Sequence, residues 1–253
     1  MKNISVALAC YNEETNIVDC IEAAKLLADE IIVVDGHSRD RTAELARQQG
    51  AIVVEVPNKK MFHINKNIAI KNCTNEWVFV LDADERITED LAIEIKKTLR
   101  KVSNEKGFWI NRKNWFLGGY LTKGGAYPDA VIRLFKNGYG IHPEKDVHEQ
   151  IAIKGPLGHI TSPLLHLADP NFARYLERAN RYTDETKRHF KEQKLAKNFP
   201  NTIYYVIIKP AITFFKIYVR HKGYVDGFRG FVWALFSSAH YFYAYSKYLT
   251  DKK

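Results

Sequence analysis

A run of apolar residues in this sequence ends abruptly in three acidic residues. The run, residues 77–81, is short and rich in aromatic and β-branched residues, so we expect a buried strand. Asp82, Asp84 and Glu85 follow where that strand would leave the sheet, and open α/β sheets bind ligands beyond the carboxyl ends of their strands. Carboxylates so spaced suit a hard divalent cation that also holds phosphate oxygens. The alternative is a simple lead into a helix, because Thr88-Glu-Asp90 has the composition of a helix N-terminus.

A second acidic residue, Asp35, ends another buried strand over residues 30–35. In a parallel sheet, Asp35 and Asp82 would open onto the same edge, where carboxylates accept hydrogen bonds from a ribose or a base. Neither the Gly-x-Gly-x-x-Gly fingerprint nor a Gly-Lys-Ser/Thr phosphate loop is present. Nucleotide phosphates would therefore need a metal ion on Asp84 or a side-chain cation such as Lys66. The alternative role of Asp35 is that of a turn-forming residue.

Predicted strands and helices alternate along the first hundred residues, which indicates a mainly parallel sheet with crossover helices. The expected strands cover residues 4–9, 30–35, 51–56 and 77–81, and helices are expected over 62–73 and 87–102. Beyond them we expect strands over 108–116 and 129–135, a mobile glycine-rich loop over 117–128 and a loop over 155–163.

Composition and charge divide the 253-residue chain into two parts. The formal net charge is +9, yet residues 1–173 carry 22 basic and 23 acidic side chains, so the excess belongs to residues 174–253. This basic part is also rich in aromatic residues, which favours an anionic membrane surface over nucleic acid as its partner. We therefore expect a catalytic domain over residues 1–170 and a basic aromatic helical extension over 171–253.

The apolar stretch 203–219 is the strongest membrane signal. Lys209, Pro210 and Lys216 interrupt it, so the pattern favours a helix that lies in the membrane interface with its lysines reaching water, over one that spans the bilayer. The alternative is a pair of core helices.

The three cysteines have no metal or disulfide spacing, and Lys2-Asn3 leads directly into the first strand without a signal peptide. We therefore expect a cytoplasmic protein, peripheral on the inner face of the cell membrane.

Four segments occur in the order and at about the spacing found in family 2 glycosyltransferases of the GT-A fold, which this chain resembles. They are Tyr11-Asn12-Glu13-Glu14, Val34-Asp35-Gly36-His-Ser38-x-Asp40-x-Thr42, Lys66-Asn67-x-Ala69 and Leu81-Asp-Ala-Asp-Glu85. Further matching segments are Pro128-Asp-x-Val-Ile-Arg-Leu-Phe135, Val147-His-Glu149 and Gly223-Tyr-Val-Asp-Gly227. Within the family, the chain looks like the inner-core lipopolysaccharide glucosyltransferases, which add a β-linked glucose to heptose.

The resemblance implies a fold, a reaction and a set of site residues. The fold would be α/β, with a mainly parallel mixed sheet, and the reaction an inverting transfer from a UDP-sugar to a lipid-linked saccharide, with Mg²⁺ or Mn²⁺ as cofactor. The residues around the base and ribose would be Tyr11, Asn12, Glu13 and Asp35. Those near the rest of the donor would be Lys66, where the family often has arginine, Asn67 and Asp82. The metal ligands would be Asp84 and His166, with Asp82 as a further candidate.

The general base implied by the resemblance is Glu149, in the cluster Asp146-Val-His-Glu149. The family commonly has Glu-Asp where this chain has His-Glu, so Asp129 and Asp146 remain alternatives. His166 lies in a short apolar run, where a histidine is more often a core residue. Two other functions stay open: the same fold acting on a polyprenyl-phosphate or capsule acceptor, and a non-catalytic basic module that binds a membrane or nucleic acid.

Overall fold

A computed structural model describes residues 3–59, 61–101, 104–144, 150–169 and 171–251 of the chain. The chain forms two compact units. The first consists of Met1–Arg112 with Ala130–His166, and the second of Lys113–Asp129 with Leu167–Lys253.

Both units contain short strands, and most of the strands belong to the first unit. In chain order they are β1 (Ile4–Cys10), β2 (Glu30–Asp35), β3 (Ile52–Glu55), β4 (Trp77–Leu81), β5 (Glu85–Arg86), β6 (Gly107–Phe116), β7 (Gly119–Tyr120), β8 (Asp129–Lys136), β9 (Gly140–Ile141), β10 (Ala152–Ile153) and β11 (Leu157–His166). The helices of the first unit are α1 (Ile17–Lys25), α2 (Thr42–Gln48), α3 (Phe62–Asn72) and α4 (Glu89–Lys101). The expected helices over 62–73 and 87–102 are therefore confirmed to within two residues.

The main sheet is mixed, with a continuous parallel part and some antiparallel strand pairs. Its order is β3-β2-β1-β4-β8-β6-β11-β5, and β7 pairs with β6. Strands β3, β2, β1 and β4 are parallel, and β8 pairs with β4 in the opposite direction. Parallel strands are covered by helices on both faces, which explains why β1 and β4 are buried along their whole length. The predicted α/β class with a mainly parallel mixed sheet is confirmed.

One local prediction is wrong, because residues 157–166 form strand β11 where we expected a loop over 155–163. Gly158 and Pro163 suggested a break in regular structure. Gly158 has a packing role instead, since a side chain there would overlap the ring of Phe108 on β6. Glycine inside a strand often marks such a close approach.

The second unit contains three long helices: α5 (Phe172–Glu192), α6 (Phe199–Arg220) and α7 (Gly227–Thr250). Helix α6 includes two π-helical segments, Tyr204–Ile208 and Lys216–Arg220. Helix α7 contacts both α5 and the Lys209–Phe215 part of α6. Among the described residues, α6 is the one helix long and apolar enough to cross a membrane, and none of its apolar window is buried.

Glycines allow close packing where the second unit turns from α6 into α7. A Cβ at Gly230 would overlap the carbonyl oxygen of Gly223, and Gly227 adopts a positive φ of 59°. These positions account for the glycines in the Gly223–Gly230 segment. In the whole chain, all three cysteines are buried free thiols, as expected for packing residues.

Candidate active site

The carboxyl ends of three neighbouring strands meet at one edge of the sheet. β1 lies between β2 and β4, and its register pairs Cys10 with Asp35 on one side and Leu8 with Leu81 on the other. The residues that follow β1, β2 and β4 therefore emerge beside one another. This placement follows from the parallel alternation of strands and helices.

The loops that follow β1 and β2 are held together by hydrogen bonds. The backbone amide of Asn12 donates to Oγ of Ser38 (2.9 Å), and the amide of Arg39 donates to Oδ1 of Asn12 (2.8 Å). The amide of Glu13 donates to Oγ1 of Thr42 at 2.8 Å. Asn12 needs a left-handed backbone (φ 55°), which asparagine adopts more easily than most residues. The two motifs thus form one rigid rim, with Tyr11 half-buried beside it.

Asp35 is almost fully buried (1% exposed) at the start of the second loop. Its carboxylate accepts hydrogen bonds from the amide (2.8 Å) and the hydroxyl (2.5 Å) of Ser38. This geometry is that of a turn-forming aspartate. Contact between Asp35 and a base or ribose, which the sequence resemblance implies, stays a prediction.

Asp82, the first acid after β4, lies between two cations. Its Oδ1 lies 2.5 Å from Nζ of Lys66, and its Oδ2 accepts a hydrogen bond from Nη2 of Arg133. Burial raises the pKa of Asp82, but the charges of Arg133 and Lys66 outweigh burial and hold the pKa well below the usual 3.8. Both oxygens are thus engaged, which makes Asp82 a poorer candidate for direct metal ligation than Asp84.

Arg133 joins Asp82 to Glu85 and is a site residue that we did not predict. Its Nη2 donates to Oε1 of Glu85 at 2.6 Å, and Nη1 of Arg112 lies 3.5 Å from the same oxygen. Glu85 is fully buried, and its Oε2 accepts a hydrogen bond from the amide of Asp82 (3.0 Å). The available sequence signal is a lone arginine inside the apolar strand 130–135.

Asp84 and His166 are brought together by the short pairing of β5 with β11. That register places His166 opposite Glu85, so Nε2 of His166 lies 3.4 Å from Oδ2 of Asp84. Burial raises the pKa of Asp84, but the hydrogen bond and charge of His166 outweigh burial and leave the pKa below 3.8. These two predicted metal ligands therefore lie side by side.

The Asp84–His166 pair fits a divalent cation. Each ligand atom lies about 2.1 Å from such an ion, so two neighbouring ligands are roughly 3 Å apart, close to the distance found here. Among the described residues, no cluster of three or more His, Cys, Asp or Glu side chains could hold a metal. Phosphate oxygens and water commonly complete the shell of an ion held by few protein ligands. These two protein ligands therefore suit a metal ion that binds together with a phosphate group.

A polar cavity of about 220 Å³ adjoins Asp82. Three cations line it: Lys66, Arg112 and Arg133. The rings of His63 and His142, stacked with centroids 4.3 Å apart, form another part of the wall. Because the cavity is both cationic and rich in hydrogen-bonding groups, it suits a polar, anionic ligand.

His142 stands out within this cavity because its ring is buried (4% exposed) without hydrogen bonds. Neither ring nitrogen has a partner among the described residues. Burial lowers the pKa of His142 to about 3, assisted by the charges of Lys66 and His63. The ring is therefore neutral and can both donate and accept a hydrogen bond. Buried polar atoms without partners are uncommon in proteins, so this ring also points to a polar ligand.

Asn67 has a structural role that we did not predict. Its side chain exchanges two hydrogen bonds of 2.9 Å with the backbone of His142 and donates a third, of 2.6 Å, to Glu144. Asn67 thereby anchors one wall of the cavity. Its placement near the donor stays a prediction.

The predicted base Glu149 and its alternative Asp146 lie outside the described residues. The other alternative, Asp129, accepts a 3.4 Å hydrogen bond from Asn114.

The α/β fold is the GT-A type of glycosyltransferases. The structure of S. aureus TarS residues 1–349 matches 98% of this chain and 88% of that chain, with a TM-score of 0.51 and 12% sequence identity. Residues 5–118 match the family described as Glycosyl transferase family 2. Residues 5–118 therefore form a family 2 glycosyltransferase domain.

Two relatives support this assignment over nearly the whole chain. The lipopolysaccharide core biosynthesis glycosyltransferase LpsC of Rhizobium meliloti is 27% identical over 252 residues, which cover 96% of this chain and 91% of LpsC. An uncharacterized glycosyltransferase of Rickettsia typhi is 25% identical over 244 residues, which cover 92% of this chain and 82% of the relative. An enzyme is therefore favoured over the non-catalytic basic module.

Proposed function

We propose that this glycosyltransferase moves glucose from UDP-glucose, with inversion, to a saccharide carried by a lipid, such as the inner-core heptose of lipopolysaccharide. The reaction would take place at the cytoplasmic face of the membrane. The observation that carries the proposal is the Asp84–His166 pair, in which Asp84 lies two residues along the chain from Asp82, a residue that lines the cationic cavity. A nucleoside diphosphate with its metal ion has the charges that both features need.

Asp84 and His166 would hold Mg²⁺ or Mn²⁺. When bound, the ion neutralises the negative charge that develops on the leaving diphosphate. Asp84 suits this role because its lowered pKa keeps it ionised at neutral pH. Asp82 would act differently: it holds Lys66 and Arg133 in place at the cavity wall, where these cations face the anionic donor.

The cavity would take the polar part of the donor. Lys66, Arg112 and Arg133 supply three positive charges, while Asp82 and Glu85 supply two negative ones, so the charged cluster keeps a net charge of +1. The buried nitrogens of His142 would bond to a hydroxyl or phosphate oxygen of the donor. Such prearranged groups stabilise charge without reorganising during the reaction.

Glu149 would remove the proton from the acceptor hydroxyl as that oxygen attacks the anomeric carbon. A single displacement inverts the configuration, so an α-linked nucleotide sugar gives a β-glycoside. Glu149→Gln is expected to retain donor binding and to lose at least about a hundredfold in transfer rate, as general-base catalysis contributes on this scale. Normal transfer by this variant would assign the base elsewhere, and Asp129→Asn and Asp146→Asn would then be assayed in the same way.

The acceptor is proposed from the relative LpsC, whose name places it in lipopolysaccharide core biosynthesis. The second candidate is the same reaction on a polyprenyl-phosphate or capsule acceptor. Assays with purified lipid-linked saccharides of each class, at one fixed donor concentration, separate these possibilities. Transfer to a heptose-containing acceptor alone supports the first proposal, and transfer to polyprenyl phosphate alone supports the second.

The experiment that tests the site compares Asp84→Asn with the matched substitution Asp90→Asn on the exposed start of α4. Asp84→Asn is expected to abolish turnover while its far-ultraviolet spectrum and melting temperature stay close to those of the unaltered protein. Asp90→Asn should retain activity. Unchanged turnover in a folded Asp84→Asn variant would remove the proposed metal role of Asp84.

A further inference from the structure

A second cavity, of about 400 Å³, lies within the second unit between α5 and α7. This volume is within the range of small-molecule sites, roughly 300–1,000 Å³. Its wall includes the aromatic rings of Tyr175, Trp233 and Phe236. No step proposed above for glycosyl transfer uses these residues.

The charged groups at this cavity are already neutralised by neighbours. Arg178 forms an ion pair with the buried carboxylate of Asp169. Lys247 lies 2.9 Å from a carboxylate oxygen of Asp184 and also donates to Asn180 (2.7 Å). Because each cation has an anionic partner, the cavity offers little attraction to an anionic ligand.

A further polar group of the cavity wall, His240, also has a partner. Nε2 of His240 lies 2.8 Å from Oγ1 of Thr186, within hydrogen-bonding distance. Tyr175 is buried (5% exposed), and burial raises the pKa of its hydroxyl to about 12. The open part of the wall is therefore mainly carbon, as an apolar ligand requires.

Apolar side chains continue from the cavity to the surface. Leu176 is 42% exposed, Tyr182 is 43% exposed and Tyr243 is 52% exposed, and all three line the cavity. Together they form an apolar lip through which a narrow hydrophobic chain can enter from outside. A compact sugar would leave its hydroxyl groups unpaired against such a surface.

The occupant is indicated by the other neighbour of α7. Besides α5, this helix packs on α6, whose apolar window is unburied over its whole length. Exposed apolar surface of this extent, interrupted by Lys209 and Lys216, suits the boundary between lipid headgroups and acyl chains. The same helix thus borders both a membrane-compatible surface and an apolar cavity. We propose that the cavity between α5 and α7 binds an alkyl chain of a membrane lipid.

Trp233 provides a direct test, because it lines the cavity and bromine quenches tryptophan fluorescence at short range. The probe is a bromododecyl maltoside, used below its micelle concentration, with the full-length protein and no sugar donor. Quenching of tryptophan fluorescence that saturates with probe concentration is expected, and Trp233→Phe should remove this saturable quenching. Because no transfer is measured, this result is independent of the proposed reaction.

Two substitutions on α5 form a matched pair. Ala179 lines the cavity, so Ala179→Phe is expected to weaken binding of the probe by at least about tenfold. Ala173→Phe, on the exposed surface of the same helix, should leave the affinity for the probe unchanged. Ala179→Leu, which fills less space, serves if Ala179→Phe does not fold. Equal affinity in a folded cavity variant and in Ala173→Phe would overturn the proposal.

Competition against the brominated probe identifies the chemical class of the ligand and the source of its alkyl chain. Maltose alone should leave the quenching unchanged, and displacement of the probe by maltose would show a sugar site and overturn the proposal. Displacement by a short-chain phosphatidylglycerol or by a lipid-linked saccharide supports the proposal, and the stronger competitor identifies the source. Failure of both lipids to displace the probe overturns it.

Discussion

Arg133 donates a 2.6 Å hydrogen bond to Glu85, a carboxylate with no exposed surface. The same guanidinium nitrogen also bonds to Asp82, so a single buried cation joins two acids of the candidate site. Burial lowers the pKa of Arg133, but the charges of Asp82 and Glu85 outweigh burial and raise it. The arginine therefore has a structural function as well as its proposed contact with the donor.

Arg133→Met is expected to lower the free energy of unfolding by up to about 3–5 kcal/mol, because Asp82 and Glu85 lose the cation they share and keep only Lys66 and Arg112. Urea unfolding measures the change. Arg100→Met, on the exposed end of α4, is the matched control and should have an effect below about 0.5 kcal/mol. If Arg133→Met unfolds like this control, the buried charge cluster does not hold the site together.

Glu94 links α4 to β11, and we expect its contribution to stability to depend on pH. It accepts hydrogen bonds from the amide of Thr161 (2.8 Å) and the amide of Ser162 (2.7 Å). Partial burial raises the pKa of Glu94, but these hydrogen bonds outweigh burial and lower the pKa from 4.5 to about 2. Because the folded-state pKa is the lower one, the stabilisation is complete above pH 4.5 and is lost as the pH falls towards 2.

Glu94→Gln should therefore be destabilised by about 0.5–1.5 kcal/mol at pH 7, because solvent screens these partly exposed hydrogen bonds, and the difference should shrink as the pH falls below 4.5. Urea unfolding of both proteins over this pH range measures it. Glu89→Gln, at the exposed start of the same helix, is the control. A difference that is independent of pH would show that the carboxylate charge of Glu94 contributes nothing.

Asp226 anchors the glycine-rich segment 117–128 within the second unit. Its carboxylate accepts hydrogen bonds from the amide of Thr122 (3.0 Å), the hydroxyl of Thr122 (2.5 Å) and the amide of Lys123 (2.9 Å). Asp226→Ala should raise hydrogen exchange at these amides by about tenfold or more, since each hydrogen bond to a charged group contributes roughly 1.5–3 kcal/mol. Asp226→Asn keeps one acceptor oxygen and should show a smaller increase. Unchanged exchange in both variants would contradict the anchoring role.

Membrane binding through α6 is testable by vesicle flotation. Ile207 and Phe215 are 61% and 63% exposed, so the paired change to Glu should preserve folding and weaken binding to phosphatidylglycerol vesicles by more than about tenfold. Ile93→Glu, at a 64% exposed position in the first unit, is the matched control and should bind normally. If both proteins bind equally well, α6 is not the membrane contact.

Local sequence patterns predicted most of the fold because each parallel strand is a short apolar run that ends in a polar turn. Thr88 is an example of a residue that marks the start of a helix. Its hydroxyl accepts a 3.2 Å hydrogen bond from the backbone amide of Leu91, as expected of a helix N-cap. Strand β11 escaped prediction because Gly158 and Pro163 resemble loop residues, while the packing against Phe108 that explains Gly158 comes from another strand.

The site was less predictable because its contacts join distant parts of the chain. The pairing of β5 with β11 places His166 beside Asp84, and no local pattern contains that register. The same is true of Arg133 with Glu85 and of the stacked rings of His63 and His142. The resemblance to a family supplied the candidates Asp84 and His166, whereas the buried arginine and the histidine stack required the structure.

The proposed metal site is tested most directly by measuring how Mn²⁺ changes the thermal stabilisation of the protein by UDP. A ligand that binds only the folded state at about a hundred times its Kd adds roughly 2.7 kcal/mol, which for a chain of this size raises Tm by about 5–10 °C. We predict that Mn²⁺ adds such an increment to the effect of UDP, and that Asp84→Asn loses the increment while Asp90→Asn keeps it. A full Mn²⁺ increment in Asp84→Asn would contradict the proposed metal site.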